Sequence, residues 1–207
     1  MKTALTKTKY FDAEIDSDEP QMENTEHYDQ LMLLTSVLKH NYWRDRRDYF
    51  IGSNLSVYYD QINPQKRKFI GPDFFYANTT NYNPKRKSWR VWAEGKFPDA
   101  IIELLSDSTE NIDKIDKFNL YEQEWKIPEY FWFSPETLEF KGFRLITNKY
   151  QSISFQQVQA NKNLLWSEQM KIYLGVYQQE LRCFEPDGLL ILNLKEMAQL
   201  YKSTIKK

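Results

Sequence analysis

The chain has 207 residues, 41% of them hydrophobic and 28% charged, with a formal net charge of −1. That balance suits one soluble domain with a real core and excludes a protein that coats nucleic acid by charge alone. One cysteine, Cys183, and two histidines, His27 and His40, exclude an intramolecular disulfide and a Cys- or His-rich metal centre.

Any bound metal would therefore be held by carboxylate oxygens, which points to magnesium or manganese. No apolar run is long enough to span a bilayer, and the stretch from Met1 to Tyr10 lacks the apolar segment of a secretory signal. The expectation is a cytoplasmic protein with no membrane partner.

Residues 1–22 are polar and carry Asp12, Glu14, Asp16, Asp18 and Glu19, so they read as a loose, disorder-prone leader. Asn24 or Thr25 caps a predicted helix that runs to about Tyr42, with Leu31, Leu34, Val37 and Leu38 at helical spacing. From Tyr49 the texture becomes strand, through Phe50, Ile51, Leu55, Val57, Tyr58 and Tyr59. A turn over 63–68 leads into a strand over 69–77 that contains Gly71-Pro72-Asp73. Residues 78–98 form a long polar loop, a length that is usually functional or mobile in a domain.

Ala100 to Leu105 is the most buried-looking strand of the chain, and Ser106 to Thr109 turn and cap a helix over about 110–124. Strands over 128–133 and 138–145 form a hairpin, residues 150–192 read as further β-structure, and a helix covers about 194–202. The expected division is a leader (1–22), a domain (23–192) and a C-terminal helix with a basic tail (193–207). The fold class is α/β: a mixed central sheet flanked by helices, with extra antiparallel strands at the C-terminal end.

The residue that asks for an explanation is Glu103, set in Ile101-Ile102-Glu103-Leu104-Leu105. A carboxylate in such a strand must be paired, protonated or bound to a metal. Asp99 is four strand residues away, roughly 13 Å at about 3.3 Å per residue. That is too far to share an ion, and it leaves Asp99 as a strand-start, loop-organising or auxiliary group. Asp73 lies on another strand, and facing carboxylates on neighbouring strands about 4.8 Å apart can share one. In the helix after Glu103, Lys117 is four residues from both Asp113 and Tyr121, so the three share a face, with Lys114 near that side. A basic, aromatic stretch precedes the strand, where Lys85, Arg86, Lys87 and Arg90 accompany Trp89 and Trp92. That mixture suits phosphate contact and base stacking. Lys66-Arg67-Lys68 and Arg44, Arg46 and Arg47 form two further basic clusters.

Gly71-Pro72-Asp73, Trp92 to Gly95, Pro98-Asp99 through Glu103-Leu104-Leu105-Ser106, Ser108-Thr109, Asp113, Lys117, Tyr121 and Pro128-Glu129-Tyr130 together carry a resemblance. The chain, over about 23–192, resembles the Uma family of restriction endonucleases in the PD-(D/E)XK nuclease superfamily. The resemblance implies a restriction-endonuclease-like fold and a metal-dependent endonuclease that cuts phosphodiester bonds, with DNA as substrate. It implies Asp73 and Glu103 as ligands of Mg²⁺ or Mn²⁺ and Lys117 as the third catalytic group. The superfamily lysine two residues after the glutamate would fall on Leu105, and Lys117 matches the helix lysine that replaces it. Glu26 matches a place where related nucleases put a further acidic group. The alternative is an inactive nuclease-fold domain that binds nucleic acid or a protein partner. Cutting both strands of a duplex commonly uses two sites, so a homodimer is a further expectation.

Overall fold

The central sheet is built on β6 (Ala100–Leu104), whose five residues are all buried. The computed structural model describes residues 15–19, 25–60, 68–106, 110–159 and 163–205. On one side β6 pairs antiparallel with β4 (Phe74–Asn78), which pairs antiparallel with the edge strand β1 (Tyr49–Ser53). On the other side it pairs parallel with β7 (Glu129–Phe133), followed by antiparallel β8 (Phe140–Ile146) and β9 (Lys149–Ser152). The sheet is mixed, in the order β1-β4-β6-β7-β8-β9. A parallel pair needs a crossover, and the helix over 110–124, with π-type turns at Ile112–Lys117 and Leu120–Glu124, supplies it.

Two smaller sheets complete the β-structure. One is antiparallel, of β10 (Gln156–Gln157), β11 (Asn163–Ser167), β12 (Ile172–Tyr177) and β13 (Glu180–Phe184). In the other, β2 (Val57–Tyr58) lies between β3 (Phe69–Ile70) and β5 (Trp89–Arg90). Helix α1 (Thr25–Ser36) continues through a π-helical segment, Val37–Tyr42, as the periodicity predicts. The helical turn α2 (Val91–Glu94) and the C-terminal helix α3 (Leu194–Ile205) complete the elements. Among the described residues no helix is long and apolar enough to cross a membrane.

Alternation along the strands sorts the core into two layers. Ile102 and Leu104 pack with Leu31 and Leu34 of α1, with Phe131, and with Leu165 and Leu174 of the C-terminal sheet. Ile101 and Leu105 face the other way, onto Phe75, Tyr121, Trp125, Tyr130 and Trp132 under the crossover helix. Glu129, fully buried at the start of β7, joins the two large sheets. Its carboxylate accepts from the Ser167 hydroxyl at 2.6 Å and from the Glu168 and Gln169 amides, and pairs with Arg144.

Three local expectations change. The single strand over 49–59 breaks at Asn54, which takes φ 46° and sends β1 and β2 to different sheets. The strand over 69–77 breaks at Gly71-Pro72-Asp73 into β3 and β4, because Pro72 has no amide for a ladder. The polar loop over 78–98 contains β5 and α2. Asn24, the leader before Ile15, most of the turn over 63–68 and Ser108-Thr109 lie outside the described residues.

Candidate active site

The β4–β6 register pairs Phe74 with Ile102, so continuing it by one residue sets Asp73 opposite Glu103. Both have the strand parity of Phe75 and Ile101, so both belong to the face under the crossover helix. The two residues are also tied through the backbone. The Asp73 amide donates to Glu103 Oε2 at 3.1 Å, and the Leu104 amide donates to Asp73 Oδ2 at 2.7 Å. Tyr121, one helical turn beyond Lys117, donates its hydroxyl to Glu103 Oε1 at 2.8 Å. Lys117 Nζ lies 3.1 Å from Glu103 Oε2 and 2.9 Å from Asp113 Oδ1. Asp113 is buried at the start of the same helical segment, and its carbonyl accepts from the Tyr130 hydroxyl at 3.0 Å.

Glu103, Asp113 and Tyr121 are buried, Asp73 and Lys117 are partly buried beside them, and removal from water sets their electrostatics. It pushes Glu103 up to about 7, with Lys117 opposing the rise and Asp73 adding to it. It raises Asp73 as well, against the pull of Lys117. Burial works against the charge of Lys117, but Glu103, Asp113 and Asp73 outweigh it and hold the ammonium well above its ordinary range. Two desolvated carboxylates with hard oxygen donors, one of which, Asp73, hinders the ionisation of the other, suit a divalent cation. Among the described residues no three His, Cys, Asp or Glu side chains form a ready cation cage. Asp73 and Glu103 are the carboxylates that would hold a magnesium ion, which takes one or two and fills its shell with water and substrate phosphate.

A further acid reaches this site from the segment read as a leader. Residues 15–19 are not loose. The Ser17 hydroxyl meets Ser56 Oγ at 3.1 Å, the Tyr58 hydroxyl donates to Asp18 Oδ2 at 2.6 Å, and the Ser88 hydroxyl donates to the Ile15 carbonyl. The strap sets the Glu19 carboxylate against Gly71, where any Cβ would overlap it. Burial raises Glu19, and Lys117 and Glu103 are the charges that act on it most. No periodicity or spacing marks Glu19; the one signal available is Gly71, two residues before Asp73. Tyr121 and Asp113 belong to the resemblance, but their grip on Glu103 and Lys117 needs the helix docked on the sheet. His27, in α1, is lowered by burial and hydrogen-bonds the Leu105 backbone.

The other expected site residues are placed as follows. Glu26 is exposed in the first turn of α1, beside His27. Asp99 precedes β6 and is engaged there, accepting from the Asn78 amide at 2.7 Å and pairing with Lys96 at 2.6 Å. It organises the loop and is not joined to Glu103. Lys114 turns to Glu110 and Glu139, over the Trp132 ring. Leu105, where the superfamily lysine would fall, is a buried apolar side chain.

The basic stretch before β6 needs correction. The Arg86 guanidinium is buried, makes two hydrogen bonds to Glu94 at 2.7 and 2.9 Å, and lies over Phe50 and Trp89. Arg86 therefore holds the fold and presents no free charge to a phosphate. Trp89 is fully buried and cannot stack on a base. Lys87 pairs with Asp16 of the strap at 2.9 Å, and Arg90 is part of β5. Lys85 is exposed.

No curated protein matches the chain. Among solved structures, one described as "a putative nuclease belonging to DUF820 from Anabaena variabilis ATCC 29413" matches at 14% identity and a TM-score of 0.45. The match covers 67% of this chain and 71% of that one. The Uma2 family model, described as "Putative restriction endonuclease", matches residues 3–171, beginning inside the segment read as a leader and ending just before β12. Spanning most of the sequence and every residue of the Asp73–Glu103–Lys117 cluster, that match makes the chain a member of the Uma2 family.

Proposed function

We propose that the protein is a metal-dependent endonuclease that hydrolyses phosphodiester bonds in DNA, with Asp73 and Glu103 holding Mg²⁺ or Mn²⁺ and Lys117 acting on the phosphate. One observation carries the reading: Lys117 Nζ touches Glu103 Oε2 while Asp73 sits across the strand pair on the same face. Membership of a family described as restriction endonucleases supports nuclease chemistry.

A bound divalent cation supplies Lewis acidity, water activation and charge neutralisation at the phosphate. The chain's own groups supply positioning. The Leu104 amide and the Asp73 amide fix one oxygen each of Asp73 and Glu103, and Tyr121 fixes the second oxygen of Glu103. Asp113 anchors Lys117 from its own helix, so the ammonium keeps its place when Glu103 is engaged elsewhere. Aimed at the phosphate, that ammonium stabilises charge that grows in the transition state. The buried walls from Tyr130 and Trp132 keep the local dielectric low and strengthen each of these interactions.

The test is nicking of supercoiled plasmid with Mg²⁺ or Mn²⁺, beside calorimetric titration of the metal. Asp73→Ala and Glu103→Ala should lose both cleavage and metal binding, whereas Lys117→Ala should lose cleavage and keep the metal. If the unaltered protein cuts no nucleic acid with either metal, the reading fails. One observation favours the alternative of an inactive nuclease fold binding a nucleic acid or protein: Leu105 stands where the superfamily has its lysine. Metal binding without cleavage would select it.

A further inference from the structure

A second cluster of charge lies away from the acidic site, beside the edge strand β1. A cavity of about 390 Å³ is lined by Lys39, His40, Arg44 and Arg47, with Tyr49, Phe50 and Ile51 of β1 and with Tyr82 to Pro84. No acidic residue lines it among the described residues, in a chain whose net charge is −1.

Lys39 is half-buried, no side-chain partner of it is found among the described residues, and burial lowers its amine below its ordinary range. An ammonium removed from water without a counter-ion is costly, and an anion in the cavity removes that cost. Arg47 is already oriented. It donates to the carbonyls of Arg44 and Arg46 at 2.8 and 2.7 Å, and its guanidinium lies 5.0 Å from the centre of the Tyr82 ring. Arg44 pairs with Asp45, its sequence neighbour, on an exposed surface, a contact worth little.

The cavity lies round the sheet edge from the acidic site: Phe50 shares the face of Asp73, whereas Lys39 and His40 continue α1, which packs on the other face. Ser53 pairs with Phe74, next to Asp73, and the cavity opens at Tyr49–Ile51 on the same strand. Phe50 and Ser53 are three residues apart, roughly 10 Å at about 3.3 Å per residue.

We infer that this cavity is a phosphate-binding subsite for the nucleic-acid substrate, in which Lys39, Arg44 and Arg47 take the backbone away from the scissile bond; this rests on the nuclease reading above. The Tyr82 ring and Pro84 offer an apolar wall of the kind on which a base can lie. The Arg86–Glu94 pair takes Arg86 out of reach of phosphate, so the cavity beside β1 adds cations that the stretch before β6 does not supply.

The experiment measures binding of a labelled duplex by fluorescence anisotropy in EDTA, where no cleavage occurs, across about 50–200 mM salt. Lys39→Gln should weaken binding by roughly threefold to tenfold and flatten the dependence of log K on log salt by about 1, and adding Arg47→Gln should flatten it by about 2. Lys39→Arg should restore both. Unchanged affinity and slope in Lys39→Gln overturn the subsite. A thermal shift with millimolar inorganic phosphate separates a free anion from a backbone phosphate: a shift lost in Lys39→Gln, with no duplex bound, also overturns it. Failure of the nuclease reading is seen elsewhere, as absent metal-dependent nicking by the unaltered protein.

Discussion

Lys117 lies 3.1 Å from Glu103 although fourteen residues and a change from strand to helix separate them, and the same ammonium lies 2.9 Å from Asp113. In the absence of metal, then, Lys117 is the cation of this site. Lys117→Met would leave Glu103, fully buried, with no cation on Oε2. Breaking a buried pair from one side costs about 3–5 kcal/mol; protonation of Glu103 reduces that, so a loss of about 2–3 kcal/mol is expected by urea unfolding without metal. Added Mg²⁺ should recover part of it, since the ion then has no ammonium to displace. Metal affinity equal to or tighter than the unaltered protein, with cleavage reduced a hundredfold or more, is the expected pattern.

The raised pKa of Glu103 gives a pH dependence with a definite sign. The unfolded chain releases this proton near 4.5 and the folded chain near 7. Between those values the folded state binds more protons, so the contribution of this group to stability is greatest at acid pH and falls as pH rises from about 4.5 to about 7. Lys117 has a raised value, so its contribution is fully present below its unfolded value of 10.5 and is lost above it, outside this window. The metal-free protein should therefore lose melting temperature between pH 5 and 7 relative to Glu103→Gln, by roughly 2–4 °C per kcal/mol. Parallel curves for the two proteins would refute the linkage. At acid pH Glu103→Gln should melt close to the unaltered protein, whose Glu103 is then itself uncharged, and at neutral pH the variant should melt higher.

Gly71 gives a test of the strap. In Gly71→Ala the new methyl displaces the Glu19 carboxylate, the far end of a flexible side chain, so global stability should change by less than about 1 kcal/mol. Hydrogen exchange at residues 15–19 should nevertheless accelerate, and limited proteolysis should cut there sooner. Glu19→Ala in the same background should restore protection, since the remaining ties through Ser56, Tyr58 and Ser88 are intact. Protection unchanged in Gly71→Ala would mean that the Glu19 carboxylate does not sit against Gly71.

Arg86 and Lys85, neighbours in sequence, should behave differently. Arg86→Ala strands Glu94 in the interior and should cost about 3–5 kcal/mol by urea denaturation. Lys85→Ala, on an exposed side chain, should stay within about 0.5 kcal/mol. Equal effects of the two would place Arg86 at the surface.

Some of this was legible in the residues. A carboxylate inside an apolar strand is expensive whatever lies around it, so Glu103 was identifiable from five consecutive letters. Helical spacing of Lys117 with Asp113 and Tyr121 is a local property, and so is the period of α1 and of the crossover helix. Distances within an element follow from its rise per residue, which excluded Asp99 as a partner of Glu103 and left the neighbouring-strand Asp73.

What composition and spacing could not decide is which charges are buried and by whom. Arg86 and Lys85 look alike in a basic loop; only the arrival of Phe50, Trp89 and Glu94 takes one of them out of water. Glu19 is one acid among several in a polar segment, and its place beside Gly71 depends on a contact fifty-two residues away. Lys39 becomes an uncompensated charge only when β1 and residues 82–84 wall it in. The periodic elements and the costly acid in the central strand can be read from the residues, because they follow from backbone geometry and desolvation. The partners of each charge come only with the folded arrangement, because electrostatic energy depends on separation and burial in space, and neither is a function of position along the chain.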